Sequence, residues 1–392
     1  AEHEVEGEVG GKEVGGEDLI AGEGDGAVKG AGEKDEEEMR AAVRRLRVGF
    51  LQGWPLGELM ALAGAVPGWP SEKAQAAVFD AIFGDHGARA FPPSVRRTAK
   101  LLKLLLKALE DGDEEVEMDE RLLHTYASLP VATPGDGVEW SYLHYHLAVD
   151  APPIVLRTAD AFGRGAETGS VVWDAGVWLA CYALARPELF AARRLVELGA
   201  GCGLLSCALA RQCAPRELIA TDAYEETLAN VQHNLDANGI PDVPVLASDA
   251  VAPYVRARRS GSPAGEGVVC CARLDWFDPE AASALGALEP DLVLAADCVY
   301  NEDLLDGLVR TIRALITPSS SRPAASALIA SKRRSEQTWA VFQAALARHN
   351  LRSEEEDISC SRGDLEGGAG CAGLWRLCDP TDITLLRLTV DA

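Results

Sequence analysis

Positive charge is scarce in this 392-residue chain. It carries 37 Lys and Arg residues against 61 Asp and Glu residues, which gives a formal net charge of -24 at pH 7. A protein that binds nucleic acid needs a basic surface that displaces counterions from phosphates. The shortage of cations therefore argues against nucleic acid as a direct partner, whereas a basic protein partner suits an acidic chain.

Long apolar runs are also missing. No uninterrupted hydrophobic stretch approaches the roughly 18 residues expected of a membrane-spanning helix. The first residues lack the basic, apolar and small-residue succession of a signal peptide. We therefore expect a cytoplasmic protein that does not engage a membrane, with enough hydrophobic residues for a buried core.

The ten cysteines include no pair at zinc-finger spacing and no paired framework. We expect reduced thiols and no metal site. His144 and His146 form an H-x-H pair, but alternate residues of a strand share one face without needing a metal. The structural interpretation of these two histidines is favoured.

The negative charge is concentrated near the amino terminus. Residues 1–39 contain 14 acidic and 3 basic side chains, ten glycines and no aromatic residue. Such a segment cannot bury enough apolar surface to offset the entropy lost on ordering it. Residues 1–39 are predicted to form a disordered tail.

Residues 40–136 show the spacing of helices. Leucines recur at three- and four-residue intervals from Met39 to Ala63, Ser71 is a predicted helix cap, and Pro92-Pro93-Ser94 opens an apolar helix from Val95 to Leu109. This predicted all-helical domain carries no catalytic constellation, so we expect it to serve in docking or support.

The pattern changes in residues 137–392. Two strand-like segments, Glu139–Leu147 and Ile154–Thr158, are separated by Pro152-Pro153 and predict a hairpin. Apolar strands then alternate with amphipathic helices, which predicts an α/β domain with a mostly parallel sheet covered by helices on both faces. The predicted strands are 194–198, 218–222, 268–275, 292–297, 325–331 and 383–390, and the helices are 173–185, 204–212, 225–238, 304–315 and 336–348.

A glycine-rich turn joins the first of these strands to its helix. Gly199, Gly201 and Gly203 follow Glu197 in the segment VELGAGCGLL, and glycines allow both a sharp turn and close approach of a ligand. A dinucleotide site more often has G-x-G-x-x-G spacing, and a carboxylate would repel a diphosphate. The segment favours a methyltransferase site for S-adenosylmethionine; a dehydrogenase and a merely tight turn are the alternatives.

Acidic and aromatic residues end the next two strands. Asp222 can accept hydrogen bonds from both ribose hydroxyls, although a helix cap would also explain it. Asp275 could bond an adenine amino group while Trp276 packs on the ring, although a tryptophan taken alone more often fills a core. The glycine turn upstream favours the binding role for Asp222.

Asp297 and Tyr300 follow the apolar strand LVLAA, where ligand crevices open in such sheets. Methyl transfer requires alignment of an unprotonated nucleophile with the methyl group and sulfur. Asp297 and Tyr300 could hold an amine and help it to lose a proton. If the amine is a lysine, its pKa must fall from about 10.4 before it reacts at neutral pH. A cap at Asp297 and simple packing by Tyr300 are the structural alternative.

The segments TGSVVWDAGVWLACYAL, VELGAGCGLL, LDW and LAADCVY together resemble the family sixteen lysine methyltransferases. The resemblance covers residues 44–390 and implies a class I, Rossmann-like fold with a seven-stranded sheet whose last strands form an antiparallel hairpin. It also implies a substrate-lysine role for Asp297 and Tyr300. The implied contacts to S-adenosylmethionine come from Trp173, Gly199, Ala200, Gly201, Asp222, Trp276 and Ala296.

The helical lead, with WPLGELM and FPPSV, resembles the subgroup that acts on translation elongation factor 2. A protein substrate is therefore expected, and elongation factor 2 is the leading candidate. Another protein substrate and a non-catalytic interaction protein are the alternatives. The sequence departs from the family in an inserted segment, 241–267, in a long loop, 354–370, and in the cysteines Cys202 and Cys298.

Overall fold

The computed structural model describes residues 25–84, 89–112, 116–130, 139–147, 152–160, 168–241, 243–259, 267–318, 325–356 and 382–391. Helices come first along the chain. They are α1 (Asp25–Leu51), α2 (Leu56–Gly64), α3 (Glu72–Phe83), α4 (Val95–Glu110) and α5 (Glu120–Ser128).

Helix α1 begins within the segment that the sequence assigned to a disordered tail. The tail prediction is wrong for residues 25–39, which are helical, and residues 1–24 lie outside the described residues. Glutamate and lysine favour helix in the run EKDEEE. Arg40 also pairs with Glu36 one helical turn away at 3.2 Å.

The helical unit has its own core. Trp54 is fully buried and packs in one cluster with Phe50, Leu59 and Leu101. In α4 the leucines at 101, 102, 105, 106 and 109 are buried while the lysines at 100, 103 and 107 are exposed. The predicted amphipathic helix is confirmed, and Ser94 caps it by accepting a hydrogen bond from the Arg97 amide.

A two-stranded hairpin follows, as predicted. Strands β1 (Trp140–Tyr145) and β2 (Ile154–Ala159) pair antiparallel, with Leu143 opposite Leu156. Helix α6 (Asp174–Ala185) comes next, after a short 3-10 turn at Thr168–Ser170. The hairpin lies beside the main sheet and is not part of it.

Strands and helices then alternate along the chain in the predicted order. The elements are β3 (Arg194–Leu198), α7 (Leu204–Gln212), β4 (Glu217–Asp222), α8 (Glu225–Ala237), β5 (Val245–Leu246), α9 (Ser248–Arg259), β6 (Val268–Arg273), α10 (Pro279–Gly286), β7 (Leu292–Ala296), α11 (Glu302–Ile316), β8 (Ser326–Lys332), α12 (Glu336–Arg348), β9 (Leu351–Glu355) and β10 (Ile383–Val390).

The strands form one sheet in the order β5-β6-β4-β3-β7-β8-β10-β9. The first six strands in this order, from β5 through β6, β4, β3 and β7 to β8, pair in parallel with their neighbours. Strand β10 pairs antiparallel with both β8 and β9. The expected sheet is therefore present with its antiparallel end. It has eight strands in the described residues because the two-residue β5 adds an edge beside β6.

Four elements were missed in the sequence. The segment 241–267 contains β5 and α9, α10 lies after the LDW tripeptide, and β9 occupies residues 351–355. These elements are short, and α9 contains Pro253. Short apolar segments next to proline and glycine give weak periodicity, which explains the misses.

Each strand divides its side chains between two apolar layers. On β3, Leu195 belongs to the core formed with α6, α7 and α8, whereas Val196 belongs to the core formed with α10, α11 and α12. Leu218 and Ile219 divide in the same way on β4. Alternation along strands buried on both faces places helices on both sides of the sheet.

Two asparagines, one on α8 and one just after it, attach the hairpin to the sheet domain. Asn234 is fully buried, accepts a hydrogen bond from the Arg157 amide at 2.7 Å and donates to the Cys202 carbonyl at 2.8 Å. Asn238 accepts from the Val155 amide at 2.9 Å. Asn234 therefore connects the edge of the hairpin directly to the glycine turn.

Removal of this connection should destabilise the protein. In Asn234→Ala the Arg157 amide and the Cys202 carbonyl lose buried partners, so we expect the free energy of unfolding to fall by about 2 kcal/mol. Urea denaturation measures the change. Asp236→Ala, an exposed change on the same helix, should alter stability by less than about 0.5 kcal/mol; equal losses in both variants would contradict the proposed connection.

Candidate active site

The glycine turn lies at the carboxyl end of the central strand β3. Gly199, Gly201 and Gly203 have φ angles of +64°, +53° and +78°, which favour glycine at all three positions. A Cβ on Gly199 would come within 2.9 Å of the Cys298 sulfur and 3.5 Å of the Trp276 ring. The backbone at Gly199 is therefore packed closely between neighbouring strand ends.

A cavity of about 470 Å³ opens above this turn, within the usual size range of small-molecule sites. Its walls come from residues that follow β3, β4, β6 and β7, so the carboxyl ends of four parallel strands meet there, as expected for this type of sheet. Nine predicted site residues line it: Trp173, Gly199, Gly201, Asp222, Asp275, Trp276, Ala296, Asp297 and Tyr300.

Two further predicted residues, Glu197 and Ala200, line a smaller cavity of about 50 Å³ below the turn, together with Trp173, Gly199 and Gly201. Gly203 lines neither cavity. A Cβ on Gly203 would meet the Val231 side chain of α8 at 3.0 Å. The third glycine therefore allows close packing of α8 against the turn.

Glu197 is a buried carboxyl group at the base of the site, 3% exposed. Its side chain accepts a hydrogen bond from the Ser206 hydroxyl. Burial raises the pKa of Glu197 to about 7, and the negative charge of Asp222 adds to the rise while the bond from Ser206 opposes it. This carboxyl group would be stabilised in its charged form by a cationic ligand group.

Asp222 is oriented by backbone amides. Its carboxylate accepts hydrogen bonds from the Gly201 amide at 3.2 Å and the Tyr224 amide at 3.3 Å. Tyr224 is the residue that precedes α8, so the contact of Asp222 braces the approach to the helix. The carboxylate also lines the cavity, so a structural contact and a binding role are compatible.

Asp275 and Trp276 follow β6 at the same edge of the sheet. The Asp275 carboxylate accepts a hydrogen bond from the Phe277 amide at 2.9 Å. The Trp276 carbonyl accepts one from the Thr311 hydroxyl of α11 at 3.3 Å, while the indole lies against Gly199. Trp276 is thus both a packing residue and a wall of the cavity.

Asp297 directly follows β7 in a backbone conformation that is rare for aspartate, with φ of +56°. Its amide donates to the Ala330 carbonyl of β8 at 2.8 Å. Its carboxylate is 2% exposed and accepts two hydrogen bonds from the Arg334 guanidinium, both at 2.6 Å. Asp297 is therefore a buried, charge-paired carboxylate, held on two sides by β8 and the residues after it.

Arg334 was missed in the sequence. It ends the basic run Lys332-Arg333-Arg334 just after β8, the neighbour of β7. Its guanidinium also lies 5.4 Å from the ring centroid of Trp173. The available signal was a basic residue just after the next strand, at the same edge of the sheet. Its partner could not be identified before the strand order was known.

A second space of about 280 Å³ adjoins the main cavity. It is lined by Thr168, Trp173, Asp297, Tyr300 and Arg334. Tyr300 is 45% exposed; partial burial raises the pKa of its hydroxyl, and a hydrogen bond with Thr168 opposes the rise. We call this five-residue space the side channel. Other residues that the sequence did not single out also line the main cavity: Gly169, Ala223, Arg273, Phe277 and Leu304.

The cysteines near the site are buried. Burial raises the pKa of Cys202 to about 12, and it raises the pKa of the Cys298 thiol as well, so both are poor nucleophiles. His144 bonds the Phe91 carbonyl at 2.9 Å, and burial lowers the pKa of His146 to about 4. In the described ranges no three His, Cys, Asp or Glu side chains cluster as a metal site would require.

The main cavity and the small cavity below the turn, which share Trp173, Gly199, Gly201 and Ala296, together fit S-adenosylmethionine on several observations. The volume of the main cavity suits a ligand of that size, and the bare glycine backbone permits close approach. Buried Glu197 suits a cationic amino group, and Asp222 suits hydroxyl groups.

No helix in the part of the chain that the structure describes is long and apolar enough to cross a membrane.

Known proteins resemble this chain over most of its length. A family model described as lysine methyltransferase matches residues 155–252 and 260–348. Protein-lysine N-methyltransferase EEF2KMT of Bos taurus is 31% identical over 264 residues, 67% of this chain and 74% of the relative. Protein-lysine N-methyltransferase EFM3 of Chaetomium thermophilum is 25% identical over 314 residues, 76% of this chain and 85% of the relative.

A parallel sheet that continues into an antiparallel hairpin, with a glycine turn at the end of its central strand, defines a class I methyltransferase that uses S-adenosylmethionine. The relatives narrow this class. The chain belongs to the lysine methyltransferase family that also contains protein-lysine N-methyltransferase EEF2KMT. It is therefore an enzyme whose chemistry is methyl transfer to protein lysine.

Binding of S-adenosylmethionine should depend on the charge of Glu197. The pKa of Glu197 in the ligand-free protein is about 7, so the group is mostly neutral at pH 6 and must lose its proton to attract the amino group of the ligand. Affinity should rise about tenfold from pH 5.5 to 6.5 and level off above pH 7. Isothermal titration calorimetry measures this dependence.

Glu197→Gln is the matched variant, because it keeps the shape of the side chain and removes its titration. Its affinity should be weaker at pH 7.5 and nearly constant between pH 5.5 and 7.5. Because Asp222 also faces the ligand, Asp222→Asn is measured in parallel and should retain the rise. A variant at Glu197 with the same pH dependence as the wild type would show that another group controls binding.

Proposed function

We propose that this enzyme methylates a lysine side chain of translation elongation factor 2 in the cytoplasm. The similarity to protein-lysine N-methyltransferase EEF2KMT, 31% identity over 74% of that protein, is the observation that carries the proposal. The helical lead supports it, because WPLGELM and FPPSV resemble the subgroup that acts on this factor.

In this proposal the main cavity, together with the small cavity below the turn, holds S-adenosylmethionine, which would supply an electrophilic methyl group. Glu197 and the backbone of Gly199, Ala200 and Gly201 hold the amino-acid end, Asp222 holds the ribose, and Asp275 and Trp276 hold the adenine. Trp173 lines both the main cavity and the side channel, and Ala296 lines the main cavity and the small cavity below the turn.

The side channel is where the substrate lysine would enter. Asp297 and Tyr300 line both it and the main cavity, so an amine held by them would face the methyl group. A carboxylate has about four lone-pair sites. Arg334 occupies one on each oxygen of Asp297, which leaves sites that can accept hydrogen bonds from the lysine amine.

Arg334 would assist loss of the proton from that amine. A lysine next to a guanidinium and inside a partly desolvated channel has a lowered pKa, because both effects disfavour its charged form. Asp297 alone would do the opposite, since an unpaired carboxylate stabilises an ammonium group. Pairing with Arg334 lets Asp297 orient the amine without holding it protonated.

The substrate assignment can be tested by methylation in vitro. Purified elongation factor 2 from cells that lack this enzyme should take up label from S-adenosylmethionine carrying a labelled methyl group, and mass spectrometry should place the label on one lysine. Asp297→Asn should lower kcat by about a hundredfold or more while cofactor affinity stays within about twofold, because it removes a contact to the reacting amine. Asp303→Asn, an exposed change nearby on α11, is the control and should leave both values unchanged.

A complete lysate from the same cells is assayed in parallel. Label on another protein and none on elongation factor 2 would overturn the substrate assignment and leave the lysine methyltransferase activity intact. Loss of cofactor binding in a folded Asp297→Asn variant would overturn the assigned role of Asp297.

The proposed role of Arg334 in loss of the proton can be tested through the pH dependence of kcat. In Arg334→Gln the lysine amine loses a neighbouring cation and meets an unpaired carboxylate, so its pKa in the complex should rise. The acidic limb of the profile of kcat against pH should move up by about one pH unit, while Arg334→Lys should move it less.

Arg333→Gln is the matched control. Arg333 lies beside Arg334, but its guanidinium pairs with Glu336 at 3.0 Å and stacks on Trp339. Its pH profile should match that of the wild type. A uniform loss of kcat in Arg334→Gln with no shift of the acidic limb would show that Arg334 only supports the fold.

A further inference from the structure

A second large cavity lies between the helical unit and the sheet domain. Its volume is about 480 Å³, close to that of the cavity above the glycine turn. Its walls come from the end of α1, the start of α4, the hairpin β1–β2 and the start of α6. The residues that matter most are Gln52, Arg97, Lys100, Asp160, Val172 and Asp174. We call it the interdomain cavity.

Four buried polar atoms in its walls have no hydrogen-bond partner among the described residues. One of them, Nε of Arg96, still forms an ion pair with Glu139 at 2.8 Å, and the other three have no such contact. They are Nε2 of Gln52, Nε of Arg97 and Oδ1 of Asp160. Gln52 is 2% exposed, and its Oε1 accepts from the Trp54 indole at 3.0 Å, which leaves only the amide nitrogen unpaired. Buried polar atoms are rarely left unpaired, and these three belong to residues on separate elements that line one space.

Of the three cations that line the cavity, Arg96 pairs with Glu139 at 2.8 Å, whereas Arg97 and Lys100 lack carboxylate partners among the described residues. Arg97 donates to the Trp54 carbonyl, a neutral group, and burial lowers its pKa with no compensating carboxylate. Lys100 is exposed at the rim and makes no ion pair with any described residue. The first turn of α4 has no acidic residue of its own, so the carboxylate of Asp160, which is bonded to the cap residue Ser94, is the negative group at the positive end of the helix dipole. The group that fits here carries a negative charge.

The wall at the end of the hairpin needs a hydrogen-bond donor. Asp160 accepts a bond from the Ser94 hydroxyl through Oδ2, while Oδ1 is unpaired. A simple anion would satisfy Arg97 and be repelled by Asp160. An extended polypeptide carrying an aspartate or glutamate satisfies both walls, because its main chain offers N–H donors and C=O acceptors and its side chain supplies the charge.

The interdomain cavity shares a wall with the methyl-transfer site. Val172 lines it and also lines the small cavity beneath the glycine turn. Trp173, the next residue, lines the main cavity and the side channel, and Asp174 lines the interdomain cavity again. A chain bound here lies against the segment that closes the active site.

We propose that the interdomain cavity is a docking site for the protein substrate and binds an extended acidic segment of it, separate from the segment that carries the target lysine. The inference rests on the proposed function only in requiring a protein substrate. It gives the helical unit a role: α1 and α4 supply the cations and the amide that hold this segment.

Steady-state methylation of the protein substrate tests the proposal. Lys100→Glu should raise KM about tenfold, because it reverses a charge that contacts the acidic segment, while kcat and cofactor affinity stay within about twofold. Lys100→Arg keeps the charge and should keep the wild-type KM. Lys103→Glu, on α4 but outside the cavity, should leave KM nearly unchanged. An equal rise of KM in Lys103→Glu and Lys100→Glu would overturn the proposal in favour of general electrostatic attraction.

Cross-linking supplies a second readout. A carbodiimide joins an amine to a carboxylate in direct contact, so wild-type enzyme should link Lys100 to an aspartate or glutamate of the substrate, as identified by mass spectrometry. Lys100→Arg should lose the link while its KM stays normal. Absence of any link at Lys100, together with an unchanged KM in Lys100→Glu, would overturn the proposal.

The remaining outcomes separate this proposal from its alternatives. Titration of inorganic phosphate and of free glutamate into the enzyme tests for a small-anion site. If wild-type enzyme binds phosphate or glutamate, Lys100→Glu does not, and the KM for the protein substrate is the same in both, the cavity is a small-anion site. That result would overturn the docking role. If another protein is labelled instead of elongation factor 2, the KM values of the variants are measured with that protein. Failure of the substrate assignment therefore stays distinct from failure of the docking site.

Discussion

Parallel pairing of β4, β3, β7 and β8 is the constraint on which the rest of the molecule depends. It brings the carboxyl ends of these strands to one edge of the sheet, where Glu197, Asp222, Asp297 and Arg334 converge although they span more than a hundred residues of sequence. The two apolar layers that cover the sheet hold this edge rigid. The charged residues of the site can therefore be held in fixed positions, which methyl transfer requires.

Burial gives these charged groups their chemical properties. Glu197 lies under the glycine turn with its pKa raised to about 7, which prepares it for a cationic ligand group. Asp297 is equally buried but is paired with Arg334 through two hydrogen bonds. The two carboxyl groups of the site thus differ in their partners: Asp297 accepts from a guanidinium, whereas Glu197 accepts from the Ser206 hydroxyl.

The helical unit and the hairpin connect to the same edge. Asn234 joins β2 to the glycine turn, and the segment around Trp173 separates the interdomain cavity from the methyl-transfer site. In an acidic chain, the cations of α4 and the guanidinium of Arg334 are placed where a protein substrate would be held. The cavity beside the helical unit thereby shares the segment from Val172 to Asp174 with the cavities of the active site.

The sequence by itself determined the alternation of strands and helices, the hairpin, the glycine turn and eleven of the residues that line the two cavities around that turn, because these features depend on local spacing and on residue type. It did not identify Arg334, the packing role of Gly203 or the start of α1. The role of Arg334 can be recognised only once β8 is known to lie beside β7. The packing role of Gly203 can be recognised only once α8 is known to pack on the turn. Tertiary structure alone also decided the interdomain cavity, because its unpaired atoms come from elements far apart in sequence, and burial, which leaves them unpaired, is a property of the folded chain.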